Sequence, residues 1–364
     1  MNVVFRADAS IQIGTGHVMR CLALADAITQ KGGSCTFICR EHRGNLIQLV
    51  VGRGHHVCPL SVSLESTTSK LSDVAAVTHA AWLGNTQEKD AVEVSIILAK
   101  IRPSWVIVDH YAIDARWEKV VRPYTNRLMA IDDLADRNHY CDLLLDQTFG
   151  RDPKDYDERV PEFCQLLCGS KYALLRPEFL EWQKYSHERR QGCKVEHLLI
   201  NLGGVDKHNV TARVLRALKI CDLPSHLVIT VIMGATAPLV ESVRYEASNM
   251  RWPTRVEVGV ENMAELMANS DIAIGAAGSS AWERCVLGLP SLMVILAENQ
   301  RYIARVLDDC GAAISLNVDN LEKELDTSLQ KLIFNKHTLF HRGIELVDGR
   351  GCERIKHHLY ELLK

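Results

Sequence analysis

Four residues near the amino terminus, Gly14-Thr15-Gly16-His17, form the densest candidate for chemistry in the chain. They lie between a short apolar run, Val3 to Phe5, and an amphipathic stretch that opens at His17, so they read as a strand-to-helix loop. The two glycines let backbone N–H groups approach a ligand, and the positive end of the helix favours the neutral imidazole and lowers its pKa. Neutral imidazole is the form a general base needs. The alternative is a histidine that only caps or packs the helix, and the glycine loop argues for the base. The loop also half-matches a dinucleotide fingerprint. Met19 stands at the third glycine position, however, and Arg40-Glu41-His42 after the second apolar run is not a ribose-binding acid context. A nicotinamide cofactor is disfavoured, and no cofactor is expected.

Two more glycine-rich stretches sit where apolar runs give way to helical patterns. Leu202-Gly203-Gly204-Val205-Asp206 suits phosphates held by backbone amides, or simply a tight turn. Gly275-Ala276-Ala277-Gly278-Ser279-Ser280-Ala281-Trp282-Glu283 places small residues and two hydroxyls before a helix, a composition that fits a diphosphate at the helix start. Glu283, one turn in, either accepts hydrogen bonds from ribose hydroxyls or complements the helix dipole; spacing does not choose. Asp109-His110-Tyr111 and Glu298-Asn299-Gln300 also follow apolar runs and suit a polar ligand, with solvated loop residues as the alternative. Asp155-Tyr156-Asp157 imitates a D-x-D metal motif, but no strand precedes it and it reads as a solvated charge run. No metal site is expected.

The elements that must position these loops follow a βαβ rhythm. Strands are predicted at 3–5, 36–39, 56–60, 105–109, 128–131 and 143–145, with helices at 17–30, 45–51, 91–101 and 116–121. The polar stretch 61–89 reads as an insertion with a helix around 71–81. From about 149 to 194 the rhythm lapses into charged, proline-containing sequence, which suggests an N-terminal domain over 1–170, a linker over 171–194 and a C-terminal domain over 195–364. There strands are predicted at 197–202, 227–233, 255–258, 272–274 and 291–296, with helices at 209–220, 239–247, 263–269, 281–287 and 301–309. The tail from 339 to 363 reads as two helices that close the second domain or cross back over the first. The fold class is therefore α/β, with two Rossmann-like doubly wound domains, and ligands are expected beyond the carboxyl ends of the strands.

A length of 364 residues, 47% hydrophobic and 24% charged, is enough for two cores. A net charge of -3 gives no concentrated basic face for nucleic acid or an anionic membrane surface. The amino terminus lacks the pattern of a signal peptide, and no apolar run is long enough to span a bilayer, so a cytoplasmic location is expected. In that compartment the twelve cysteines read as reduced thiols, and the sequon at Asn209-Val210-Thr211 carries no meaning. The sequence is silent on assembly, and a monomer is allowed.

Several segments together resemble one family: Arg6-Ala-Asp8-Ala-Ser10, Ile13-Gly-Thr-Gly-His-Val-Met-Arg-Cys-Leu22, Val108-Asp-His-Tyr111, Ile131-Asp-Asp-Leu-Ala-Asp136, Leu175-Arg-Pro-Glu-Phe179, Gly203-Gly-Val-Asp206 and Trp282-Glu-Arg-Cys-Val-Leu-Gly-Leu-Pro290. The chain is similar over nearly its whole length to the UDP-sugar hydrolases of pseudaminic acid biosynthesis. That resemblance implies the GT-B fold with an interdomain cleft, and release of UDP from UDP-2,4-diacetamido-2,4,6-trideoxy-β-L-altropyranose on a route toward flagellin glycosylation. It places the family's base on His17 and the sugar-pocket tyrosine and asparagine on Tyr111 and Asn299. Arg6, Asp8, Gly14, Thr15, Gly16, Arg20 and Gln300 join these as substrate-binding candidates. Gly278, Ser279 and Ser280 would face the diphosphate together with Gly203, Gly204 and Asp206, Glu283 the ribose, and the stretch Val258 to Met263, including Val260, the uracil. Ala277 departs from a second glycine that relatives often carry there.

The mechanism expected from this assignment is attack of water, deprotonated by His17, at the anomeric carbon with inversion and C–O cleavage. Its rivals are a glycosyltransferase that uses the same histidine on an acceptor hydroxyl, and a UDP-sugar-binding protein without turnover. A basic and apolar acceptor patch, the mark of membrane-associated transferases, is not visible in the first half of the sequence. A hydrolysing 2-epimerase would want further acids near the sugar ring.

Overall fold

The computed structural model describes residues 1–62, 79–192 and 194–364. The chain divides into two compact units: unit 1 comprises Met1–Leu174 and Gly351–Lys364, and unit 2 comprises Leu175–Arg350.

In unit 1 the apolar runs become β1 (Asn2–Ala7), β2 (Ser34–Arg40), β3 (His56–Leu60), β4 (Trp105–Asp109), β5 (Arg127–Ile131), β6 (Leu143–Asp146) and β7 (Gln165–Cys168). They form one sheet in the order β3-β2-β1-β4-β5-β6-β7, and every pairing is parallel. Successive residues of β1 are buried on opposite faces, as a parallel strand covered on both sides requires. Val3 and Phe5 pack with residues of α1 (Gly16–Thr29), α2 (Ile47–Gly52) and α12 (Gly351–Glu361), while Val4 packs with residues of α3 (Gln87–Ile101) and α4 (Ala115–Val121). The chain leaves β1 toward β2 and returns to β4 on its other side. The carboxyl ends of β1 and β4 therefore flank a topological switch point, the place where doubly wound sheets bind their ligands.

Unit 2 repeats the plan with β8 (His197–Asn201), β9 (Val228–Met233), β10 (Thr254–Val258), β11 (Ile272–Ala276), β12 (Ser291–Ile295) and β13 (Ile314–Asn317). The strand order is β10-β9-β8-β11-β12-β13, again parallel throughout, with its switch point between β8 and β11. Helices α6 (Val210–Leu218), α7 (Val240–Ser248) and α11 (Leu321–Leu346) share a core with alternate residues of β8, β9 and β11. On the remaining surface α9 (Ser280–Val286) packs on β11, α5 (Pro177–Arg190) packs on α8 (Met263–Ala268) and α9, and α10 (Arg301–Asp309) packs on β12 and β13.

The segment expected as a linker over 171–194 is mostly α5, an element of unit 2. Its charge hides its role: Arg190 donates to the carbonyls of Ser186, Met267, Ser270 and Leu287, and Arg189 pairs with Asp271 at 2.6 Å. Four-residue β7 and β13 are too short to show a period by themselves and exist through their pairing with β6 and β12. The first tail helix begins at Leu321, not 339, on a buried stripe of Leu321, Leu325, Leu329 and Leu332. The helix expected around 71–81 falls largely outside the described residues; 80–83 form one 3-10 turn.

Candidate active site

His17 is the second residue of α1, which follows β1 after a loop that folds back on itself. Ser10 and Gly14 exchange backbone hydrogen bonds at 3.3 and 2.9 Å, the Ser10 hydroxyl accepts from the amides of Gln12 and Ile13, and Gly14 takes a φ of 85° that its lack of Cβ allows. Thr15 is the residue before the helix and caps nothing with its side chain.

The imidazole is buried, and its Nδ1 lies 2.6 Å from Oδ1 of Asp109, the last residue of β4. Arg20, one turn along α1, clasps the same carboxylate through Nε at 2.6 Å and Nη2 at 2.7 Å. Burial alone would raise the Asp109 carboxyl; Arg20 and His17 instead hold it well below the usual carboxylate range. An ionised Asp109 accepts the Nδ1 proton, which leaves the lone pair of the neutral ring on Nε2. Arg20 also reaches Asp133, beyond β5, through Nη1 at 2.5 Å. Tyr111 donates its hydroxyl to the same Asp133 oxygen at 2.8 Å and sets its ring edge-on to His17 with centroids 4.5 Å apart. Burial and Asp133 push the phenol well above its ordinary pKa, so Tyr111 remains a donor. Adjacent strands β1, β4 and β5 thus bring His17, Arg20, Asp109, Tyr111 and Asp133 into one polar cluster, with the rings of His79 and Trp82 at 5.5 and 6.0 Å from that of Tyr111.

Arg6 and Asp8 lie deeper. Arg6 is fully buried and donates to Asp8 at 2.6 Å and to Asp90 at 2.7 and 3.2 Å, while Asp8 also accepts from the amide of Arg40 at 2.7 Å. The second Asp8 oxygen faces His110 Nε2 at 3.4 Å. His110 accepts the Ala112 amide on Nδ1, and burial lowers its pKa, so its Nε2 carries the proton in a neutral ring. These residues brace the floor under the His17 loop.

In unit 2 the candidates gather at the carboxyl edge of the sheet. Gly203 has a φ of 96°, and a Cβ on Gly234 would strike the Gly204 carbonyl, so the ends of β8 and β9 meet backbone to backbone. Asp206 is occupied locally: its two oxygens accept the amides of Val210 and Thr211 at 2.8 and 2.9 Å and cap α6. Gly278 and Ser279, between β11 and α9, and Ser280, the first residue of α9, are half-buried beside the β8 loop. Burial raises the Glu283 carboxyl above its ordinary value, against the pull of Arg176 and Arg284. Val260 and Met263 follow β10, where Gly259 turns the chain at a φ of 65°. Asn299 and Gln300 share one turn after β12, and the Gln300 side chain accepts the Leu296 amide at 2.9 Å.

Sequence spacing did not pair Asp109 with His17, nor single out Asp133. The available signal was positional: each acid ends or follows an apolar run at the same edge as the glycine loop. Exposed Val92 and Ile96 of α3 and Val120 and Tyr124 near α4 line one apolar groove with Lys100, a patch that chain order scatters. Among the described residues no three His, Cys, Asp or Glu side chains are grouped to hold a metal ion, every cysteine is a free thiol, and no helix is long and apolar enough to cross a membrane.

Residues 222–355 match the glycosyltransferase family 28 C-terminal domain. The UDP-2,4-diacetamido-2,4,6-trideoxy-β-L-altropyranose hydrolase of Campylobacter jejuni is 26% identical over 312 residues, 85% of this chain and 97% of that protein. The spore coat polysaccharide biosynthesis protein SpsG of Bacillus subtilis is 28% identical over 200 residues, 53% of this chain and 58% of that protein. Among solved structures, MurG of Acinetobacter baumannii superposes with a TM-score of 0.66 at 16% identity, covering 99% of each chain, a likeness of fold. The chain therefore has the GT-B fold, matches the glycosyltransferase family 28 C-terminal domain over residues 222–355, and is similar over most of its length to the diacetamido-trideoxy-altropyranose hydrolase.

Proposed function

We propose that the protein is a UDP-sugar hydrolase that cleaves UDP-2,4-diacetamido-2,4,6-trideoxy-β-L-altropyranose to UDP and the free sugar, as a step of pseudaminic acid biosynthesis. The observation that carries this reading is the Asp109–His17 pair at 2.6 Å, which orients a buried imidazole with Nε2 available as a base. Similarity to the Campylobacter jejuni protein supplies the substrate. Water loses its proton to Nε2 and attacks the anomeric carbon, the C–O bond to the diphosphate breaks with inversion, and the pair of electrons leaves with UDP. Asp109 stabilises the imidazolium that forms, and Arg20 fixes Asp109. In unit 2, amides of the Gly278–Ser280 loop receive the diphosphate, whose growing charge they stabilise by preorganisation.

The test is incubation of the purified protein with this UDP-sugar, without any acceptor, in ¹⁸O-labelled water. Free UDP is expected, with the label in the sugar. Label in UDP would mean P–O cleavage and overturn attack at carbon.

A second reading, a glycosyltransferase with a UDP-sugar donor, draws support from the match to the glycosyltransferase family 28 C-terminal domain. It requires that UDP release depend on an added acceptor.

A further inference from the structure

Beneath the loop that follows β11 lies a cation without a counter-ion. Arg284 is 1% exposed. Its Nη2 donates to the Ala276 carbonyl at 2.8 Å, its Nη1 to the Ser280 hydroxyl oxygen at 3.1 Å, and its Nε has no partner. A Cβ on Gly275 would fall onto the guanidinium, so Arg284 lies flat against the β11 backbone in space that only glycine leaves free. Among the described residues no carboxylate is within ion-pair distance of it. Its sequence neighbour Glu283 influences its charge without pairing. The other deeply buried arginines are compensated: Arg6 faces Asp8 and Asp90, Arg20 faces Asp109 and Asp133, Arg40 faces Asp90 and Glu93, Arg137 faces Asp132 and Asp136, and Arg190 donates to four carbonyls.

A guanidinium taken out of water without an anion is costly, and burial here lowers its pKa only to about 10, so it stays charged at neutral pH. The hydroxyl of Ser280 accepts from Arg284, so its own proton is directed away from Arg284 and remains free for another acceptor. Both features ask for an anion at Gly278–Ser280.

We infer that Arg284 is a positioning residue for the diphosphate of the nucleotide, a built-in buried cation whose counter-ion arrives with the ligand and which acts through Ser280. This rests on the reading that the Gly278–Ser280 loop receives the diphosphate. Arg284 does not touch the phosphate. It polarises the Ser280 hydroxyl as a donor and adds unscreened positive potential below the loop, where low dielectric strengthens both effects.

Calorimetric titration of UDP and of uridine into the wild type and into Arg284→Met, Arg284→Lys and Ser280→Ala, with melting temperatures of each, tests the inference. Expected are UDP binding weakened at least about tenfold in Arg284→Met and in Ser280→Ala, the scale of one charge-assisted hydrogen bond. Uridine affinity should be unchanged, Arg284→Lys should recover part of the loss, and the Arg284→Met/Ser280→Ala double variant should be no weaker than the worse single one. The melting temperature of free Arg284→Met should hold or rise, while its shift with UDP shrinks. UDP binding equal to wild type in Arg284→Met overturns the inference alone. Should that variant not fold, unchanged UDP affinity in Ser280→Ala does the same. A wild type that binds uridine but gains nothing from the diphosphate overturns the reading of the loop and the inference with it.

Discussion

His17 has the partner a general base requires, and its partner has one too. Asp109 fixes the ring through Nδ1, and Arg20 fixes Asp109 through two donors. Loss of a general base typically costs about 10² to 10⁴ in rate. His17→Ala is therefore expected to lose that much kcat in a UDP-release assay, with a smaller change in UDP binding; near-normal turnover would remove His17 from the mechanism. Because Asp109 works through His17, Asp109→Asn should fall in the same range, and the double variant should lose little more than either single one. Full additivity of the two losses would show separate roles. The Arg20 side chain, a substrate-binding candidate by resemblance, places three of its donors on Asp109 and Asp133. Asp133 in turn keeps a buried oxygen without a partner beside Tyr111, a site suited to an N–H or O–H of a ligand.

At the scale of elements, the loops hold their shape through side chains that the sequence alone presents as generic charges. The loop after β5 is pinned by His139, which lies 2.7 Å from Glu118 Oε1 and 3.8 Å from Asp132 Oδ2. Burial opposes a charge on the ring, but Glu118 and Asp132 overcome it and hold the pKa up to about 9. The unfolded ring titrates near about 6.5. The folded state thus binds the proton more tightly, and the stabilisation is fully present below pH of about 6.5 and is lost as pH rises through about 9. Thermal melts of wild type should show this decline, and His139→Gln should lack it, with the gap between the two narrowing across that window. A gap that stays constant would dissociate His139 from the effect. In unit 2, Asp206 caps α6 with both oxygens, so Asp206→Ala should cost about 1 to 2 kcal/mol in urea unfolding and Asp206→Asn less. Loss of UDP affinity at unchanged stability would return Asp206 to the ligand.

At the scale of the molecule, two parallel sheets of seven and six strands each bring their candidate groups to a carboxyl edge. The last helix, α12, belongs to unit 1. Ile355 and Leu359 are fully buried against it, and the Leu359 carbonyl accepts from Trp105 Nε1 at 3.0 Å. Burying each such side chain contributes about 1.5 to 3 kcal/mol, a large part of a domain's net stability. A chain ending at Arg350 should therefore lose hydrogen-exchange protection in β1, β4 and α1 while β8 and β11 keep theirs. Equal protection of the two units after truncation would contradict this division.

The sequence by itself determined the alternation of strand and helix, the two-sheet α/β class and the glycine loops at strand ends. Those rest on local signals, the apolar period and the backbone freedom of glycine, that need no partner to be read. It did not determine α5, whose arginines bond to carbonyls of two distant segments, 267–270 and Leu287, nor β7 and β13, which are strands only because a neighbour pairs with them. The same limit governs the site. His17 was legible because its loop is local, whereas Asp109 is 92 residues away and reaches it only because β1 and β4 lie side by side. Arg284 carries no signal of its own in the sequence; tertiary packing encloses it without a carboxylate. Which charges pair, and which are left wanting an anion, is a property of strand order and burial, and only the folded chain decides it.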